Sequence, residues 1–356
     1  MRKWKNYRVV RVYILAAVLC LAIVCLLFIK LKYLKDANQS EATTELFAMD
    51  TYITMTAFGQ NAETALSNAE DKLTELERLW SVTGSDSDIY AVNHSDGQPV
   101  SVSEETAELL SFALQMAEET GGALEPTIYP VLTAWGFTTE DNRVPSDAEI
   151  AELLDNVGYK RVRLEDSTVQ LDSGTMLDLG SVGKGYAGDL VTQVLRENGI
   201  TSALLDLGGN IQAVGTKPDG SPWRLGLRDP FSGGTLGVLE ISDMAVVTSG
   251  NYERYFIGED GKQYGHIIDP STGYPAKSGL ASVTVIAEEG RLCDALSTSL
   301  FVMGLDQATE YWRQHKNFDM LLITEEGEIY LTEGIMDVFT LDSYHSNMKV
   351  NVIEHE

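Results

Sequence analysis

The chain is short of positive charge: 26 Lys and Arg stand against 53 Asp and Glu, for a net charge of −27 at pH 7. A field of that sign disfavours nucleic acid as a partner. The shortage is uneven, because residues 1–35 hold eight Lys/Arg and no acid, leaving +8 there and −35 in the remainder. Cysteine is scarce too, with three in 356 residues. Cys20 and Cys25 fall in an apolar N-terminal run, so Cys293 has no partner in the rest of the chain and no intradomain disulfide is available. Cys293 reads as buried filler beside Asp294. Two common phosphate signatures are also missing. No strand-linked Gly-x-Gly-x-x-Gly is found, which argues against a Rossmann site. The glycine-rich run Leu177-Asp-Leu-Gly-Ser-Val-Gly-Lys-Gly-Tyr-Ala-Gly-Asp189 is not a Walker A loop either, since Gly180 and Gly183 stand too close together and Gly185 occupies the place of Ser or Thr.

What is present begins with a membrane signal. Val12–Ile29 is 18 uncharged, mainly apolar residues with five basic residues before it and three after. That length just spans a bilayer, and the basic excess predicts an N-terminus inside and the bulk of the chain outside the cytoplasm. Leu19 and Val24 precede the two cysteines where lipid attachment wants a small residue, so an uncleaved anchor is expected over a lipoprotein. The predicted organisation is a basic stub and anchor over 1–35, a polar tether over 36–45, a catalytic domain over 46–341 and a polar, mobile tail over 342–356. Helices interleave with short, hairpin-paired strands, which predicts a single α+β domain.

Within it, Phe47–Phe58 alternates as a strand should, and Asn61 is expected to cap a helix with an apolar stripe from Ala65 to Trp80. A second helix spans Ser103 to about Thr120 and stops at Gly121-Gly122. Ser146-Asp-Ala-Glu149 reads as a capping box, and Val162–Leu171 as a hairpin. Strand pairs are expected around Gly208-Gly209, around Gly258 and Gly261, and over Phe318–Leu331. Leu280–Ala287 reads as a buried strand that feeds a further helix.

The chemistry gathers near that helix. Asp294 and Thr298 are four apart, which puts a carboxylate and a hydroxyl on one helical face. Both are hard oxygen donors suited to Mg²⁺, which takes one or two carboxylates and leaves other positions to water and phosphate. His266 stands just before Asp269-Pro-Ser-Thr-Gly273, a turn that would hold its imidazole nearby. The glycine run, between a strand and a helix from about Gly185 to Asn198, offers backbone N–H groups and a positive helix end to a phosphate, with Lys184 as a mobile charge. Each piece has a plainer reading: a capping Asp, an ordinary turn, a strand-end histidine satisfied by a carbonyl, a tight strand–helix connection.

Together with Leu205-Asp-Leu-Gly-Gly-Asn-Ile211 and Thr248-Ser-Gly-Asn-Tyr-Glu-Arg-Tyr-Phe256, these motifs resemble the ApbE-type FAD:protein FMN transferases from about Phe47 to Leu331. The resemblance implies Mg²⁺-dependent transfer of FMN from FAD to a Thr or Ser hydroxyl of an acceptor flavoprotein, with release of AMP. The acceptor would be a subunit of a redox membrane complex or an extracellular flavoprotein. It implies that the backbone carbonyl of Ser181 joins Asp294 and Thr298 on the metal, that Asp178 and Lys184 contact the flavin nucleotide, and that His266 takes the hydroxyl proton or stabilises the transition state. Met49 would lie against the nucleotide, a core methionine being the alternative, and Ala123, Leu124, Glu125 and Ile267 would border it. Thr83 departs from the pattern, because many relatives carry a Tyr there that stacks on FAD. Two rival functions use the same residues: an FAD pyrophosphatase with water as acceptor, and a flavin-binding module without turnover.

Overall fold

The computed structural model describes residues 40–139 and 141–355 and, of the segment before them, Ile23. The expected anchor therefore lies, Ile23 apart, outside the described residues, among which no helix is long and apolar enough to cross a membrane.

Nine strands form the main sheet and lie side by side in chain order: Glu41–Ala48, Thr51–Phe58, Ser202–Leu207, Asn210–Gly215, Ala245–Gly250, Leu280–Ala287, Asp319–Thr324, Ile329–Thr332 and Val350–Ile353. Neighbours run antiparallel except the last pair, which is parallel. The alternation of Thr51–Phe58 puts Ile53, Met55 and Ala57 on the buried face, as period two requires. That face is covered by the helices Ala62–Trp80, Gly183–Glu197 and Gly290–Gln314, which supply Leu73, Leu76, Val191, Leu195 and Phe301 to the main core. On the other face a three-stranded sheet, Trp223–Arg228, Thr235–Ile241 and Phe339–Leu341, encloses a second core around Trp223, Leu239, Val246 and Ile286. Leu280–Ala287 serves both layers and is buried along its whole length, which is why it reads as a continuous apolar run.

A third, smaller core sits apart from the sheet. Val131, Trp135, Ile150 and Ile268 pack there with Phe137, Phe256, Tyr264 and Tyr274, and Trp135 Nε1 donates to the Gly273 carbonyl at 2.8 Å. It ties the 129–154 segment to the hairpin Tyr255–Ile257/Gln263–Gly265, next to His266.

The α+β expectation holds, and several boundaries differ. The first strand is a hairpin, Glu41–Ala48 with Thr51–Phe58, turned at Met49 and Asp50 with φ of 52° and 59°. Two successive left-handed residues match the twist of a hairpin, and no glycine marks them in the sequence. Residues 41–45 are consequently edge strand rather than tether. Of the expected tail over 342–356, the described residues 342–355 are not loose, since Val350–Ile353 pairs with Ile329–Thr332. Asn61 makes no side-chain cap and instead donates to the Asn198 carbonyl at 3.3 Å. Ser146 does accept from Glu149 N, but the Glu149 carboxylate turns to Arg143, so only half of the expected box forms. The glycine run is not preceded by a full strand: Met176 makes a single bridge to Ile128, and the helix begins at Gly183. The helix after Leu280–Ala287 is broken at Gly304, where φ is 79° and ψ 175°.

Candidate active site

The backbone approaching the glycine run is clamped before it turns. The Asn93 side chain exchanges two bonds with Leu177, donating to its carbonyl at 2.8 Å and accepting from its N–H at 2.6 Å. Asp178 N donates to the Pro126 carbonyl at 2.8 Å, and Asp178 Oδ1 accepts from Gly180 N at 2.7 Å, an Asx turn that starts the loop. Burial pushes the Asp178 carboxyl above its ordinary pKa, against the Gly180 N–H and the positive fields of Lys184 and Arg254. Lys184 stands at the second position of the helix Gly183–Glu197, where its charge acts on Asp178, Glu253 and His266 together.

Asp294 is 4% exposed and lies in the second turn of the helix Gly290–Gln314. Its Oδ2 accepts from Gly185 N at 2.8 Å. Gly185 is the third residue of a helix whose N-cap is Val182, so its N–H is one of the orphan donors that a helix start leaves without an intrahelical partner. Asp294 satisfies it from the neighbouring helix, and the Ser181 carbonyl, just ahead of the N-cap, has no main-chain donor among the described residues. An unsatisfied carbonyl, a buried carboxylate with one oxygen to spare and the Thr298 hydroxyl are all hard oxygen donors, so the residues fit Mg²⁺. No three His, Cys, Asp or Glu side chains among the described residues cluster as a metal site, in keeping with an ion that draws most of its oxygens from elsewhere. Ser249 Oγ lies 2.9 Å from Ser297 Oγ and 3.4 Å from Thr298 Oγ1, and Ser297 Oγ donates to the Asp294 carbonyl at 3.1 Å.

His266 comes from the small third core. Its Nδ1 lies 3.1 Å from the Arg254 carbonyl, which also accepts from His266 N at 3.0 Å. A carbonyl can only accept, so Nδ1 carries the hydrogen and Nε2 keeps its lone pair. Burial, with the positive fields of Arg254 and Lys184, lowers the imidazole pKa to about 4 against the opposing carbonyl. The ring is therefore neutral near pH 7, with the Nε2 lone pair available to a proton but less basic than in an ordinary imidazole.

The remaining expectations divide. Met49 is part-buried against the main core, and its N–H donates to Glu77 Oε1 at 2.9 Å. Ala123 and Leu124 follow the helix end, with Leu124 N bonded to Thr120 Oγ1 at 3.1 Å. Their segment adjoins the glycine run through the Pro126–Asp178 bond. Glu125 is buried and its carboxylate is spoken for: it accepts from Thr127 N and Oγ1 at 3.0 and 2.6 Å and from Tyr159 N at 2.9 Å. That ties two loops together instead of offering a free acceptor to a nucleotide. Ile267 is a core residue whose carbonyl accepts from Ala276 N at 2.9 Å. Thr83 is exposed in a turn held by Ser81. Sequence reasoning gives no role to Asn93, Ser249, Ser297 or Arg254, although Ser249 and Arg254 fall in the Thr248–Phe256 motif and Ser297 lies between Asp294 and Thr298.

Hard oxygen donors set against a glycine-lined helix start, with Lys184 and His266 near by, sit on a mixed α+β domain. Residues 49–322 match the ApbE family. The FAD:protein FMN transferase of Treponema pallidum is 35% identical over 292 residues, covering 77% of this chain and 80% of that protein. The protein of the same name from Klebsiella pneumoniae is 33% identical over 276 residues, covering 76% and 85%. Among solved structures, the ApbE protein of Thermotoga maritima superposes with a TM-score of 0.80 at 35% identity, covering 84% of this chain and 99% of that one. The flavin transferase ApbE from Vibrio cholerae gives 0.77 at 27%, with the same coverage. The chain belongs to the ApbE family.

Proposed function

We propose that the protein transfers FMN from FAD to a Thr or Ser hydroxyl of an acceptor protein and releases AMP, with Mg²⁺ in the site. The reading is supported by the Ser181 carbonyl, which lacks a main-chain donor just ahead of the helix start that a buried Asp294 holds through Gly185 N, with the Thr298 hydroxyl one turn along from Asp294. Those three residues would hold Mg²⁺, which supplies charge neutralisation at the pyrophosphate when bound. Lys184 adds a second positive charge, and the glycine run lets the backbone approach the phosphates. The acceptor Oγ forms a bond to the FMN-side phosphorus while the bond to the AMP oxygen breaks. His266 Nε2 takes the hydroxyl proton and returns it to solvent. Little covalent work is asked of the protein; placement and charge carry the step. Incubating the protein with FAD, Mg²⁺ and a Thr-containing acceptor domain should give flavin-labelled acceptor and one AMP per label. AMP without label would mean a pyrophosphatase, and neither product a binding module.

We propose further that the N-terminal run anchors the domain to the membrane with its catalytic part outside the cytoplasm, a reading supported by the 18 apolar residues and the basic residues ahead of them. Protease added outside intact cells should digest the domain, and the full-length protein should sediment with membranes. Protection from the protease would reverse the orientation.

A further inference from the structure

The helices Gly183–Glu197 and Gly290–Gln314 are cross-linked twice, in reciprocal fashion. Gly185 N donates to Asp294 Oδ2 at 2.8 Å, and Gly290 N donates to Asp189 Oδ1 at 2.6 Å. Each helix thus contributes a glycine N–H and, one turn later, a carboxylate. The two glycines are where the backbones touch: a Cβ on Gly185 would fall 2.2 Å from the Gly290 carbonyl oxygen, and one on Gly290 would fall 2.7 Å from the Gly185 carbonyl oxygen. One half of this crossing carries Asp294. The other half has no part in the reaction as drawn above.

That second half is nevertheless fully engaged. Asp189 Oδ2 accepts from Arg291 N at 2.9 Å, so the carboxylate takes the first two N–H groups of the helix that presents Asp294 and Thr298. The residue at that helix's own N-cap, Glu289, makes no side-chain cap. Gln212, from the sheet, wedges behind: its Nε2 donates to Asp189 Oδ1 and to the Gly185 carbonyl, both at 3.0 Å, and its Oε1 accepts from Thr192 Oγ1 at 3.0 Å. The wedge fits because Gly188 and Gly290 lack side chains, a Cβ on either falling 2.5 and 1.7 Å from Gln212 Nε2.

We propose that Asp189, held by Gln212, is a positioning residue for the cation site, fixing where the Gly290–Gln314 helix starts against Gly185 and so the distance from Asp294 and Thr298 to the Ser181 carbonyl. The physical reason is leverage. The Gly185–Asp294 bond sets Asp294 against the helix start that follows Ser181 only while the crossing is in register, and Asp189 supplies the acceptors that hold the register one turn away. Residues that orient metal ligands from behind typically change metal affinity by 10–100-fold when altered.

The inference rests on the Mg²⁺ reading above, and the test keeps the two apart. Calorimetric titration of Mg²⁺ into the full chain with FAD, without acceptor, should give for Asp189→Asn a Kd raised by at least about tenfold. FAD affinity at saturating Mg²⁺ should stay within several-fold of wild type, and transfer should recover when Mg²⁺ is raised. A purely structural cap would lower the urea midpoint and leave the Mg²⁺ Kd where it was, which would overturn the proposal. Should Asp189→Asn not fold, Thr192→Val, which removes only the hydroxyl that orients Gln212, is read by the same criterion, with a weaker Mg²⁺ Kd expected and an unchanged one overturning it. Wild-type protein that binds no Mg²⁺ would instead sink the metal reading itself.

Discussion

Replacing Asp294 by asparagine is expected to leave the domain folded and to lower FMN transfer by at least about 10³-fold, since a metal-supplied charge at a reacting phosphate is worth several kcal/mol. Asparagine is the informative change because its carbonyl oxygen can still accept from Gly185 N, the bond that Asp294 Oδ2 makes at 2.8 Å. Alanine would strand that N–H in a buried place, at about 1–3 kcal/mol, and mix lost stability with lost chemistry. With asparagine the crossing stays in register and only the negative charge goes. Circular dichroism and urea unfolding check the fold, and AMP release from FAD across a Mg²⁺ series checks the rate. Transfer at wild-type speed, or in excess chelator, would remove Asp294 and the metal from the mechanism.

His266→Asn should keep FAD affinity within several-fold of wild type while transfer slows by roughly 10²–10⁴, the range for a lost general base. The pH profile sharpens the expectation. An unperturbed imidazole would lose activity as pH falls through about 6.5. In the fold, burial and the charges of Arg254 and Lys184 lower the pKa to about 4. The neutral, proton-accepting form therefore persists through pH 6, and kcat/KM, which reports the free enzyme, should hold there and bend only toward pH 4. The bend should vanish in the variant. Affinity falling in step with rate would make His266 a binding or structural residue, and an acidic limb near pH 6.5 would show that the imidazole is better solvated than its surroundings here imply.

What could be read from the chain alone were pieces whose signal is local. Asp294 and Thr298 share a helical face by spacing, the Ser103 and Gly121-Gly122 helix ends follow from short-range capping, and the Gly208-Gly209 turn joins two apolar strands as expected, with φ of 64° and 93°. What could not be read depends on partners far apart in sequence. Asn93 and Leu177 are 84 residues apart, Asp189 and Gly290 101, and no periodicity points from one to the other. Nor does composition reveal that Met49 and Asp50 take left-handed conformations, or that Glu125 is consumed by Thr127 and Tyr159. The shifted titration of His266 likewise comes from charges brought to it only by folding.

The two halves of the site belong to packing units of different size. Asp294, Thr298 and the Ser181 carbonyl are fixed by helices seated on the nine-stranded sheet, whereas His266 follows the small aromatic core around Trp135 and Ile268. A unit with fewer buried apolar contacts opens locally at a lower free energy than the whole. Amide protons of the Tyr255–Ile257/Gln263–Gly265 hairpin should accordingly trade with solvent sooner than those of Leu280–Ala287. On warming, the lesser unit is expected to set the working lifetime, with His266 displaced and activity lost before global melting is seen.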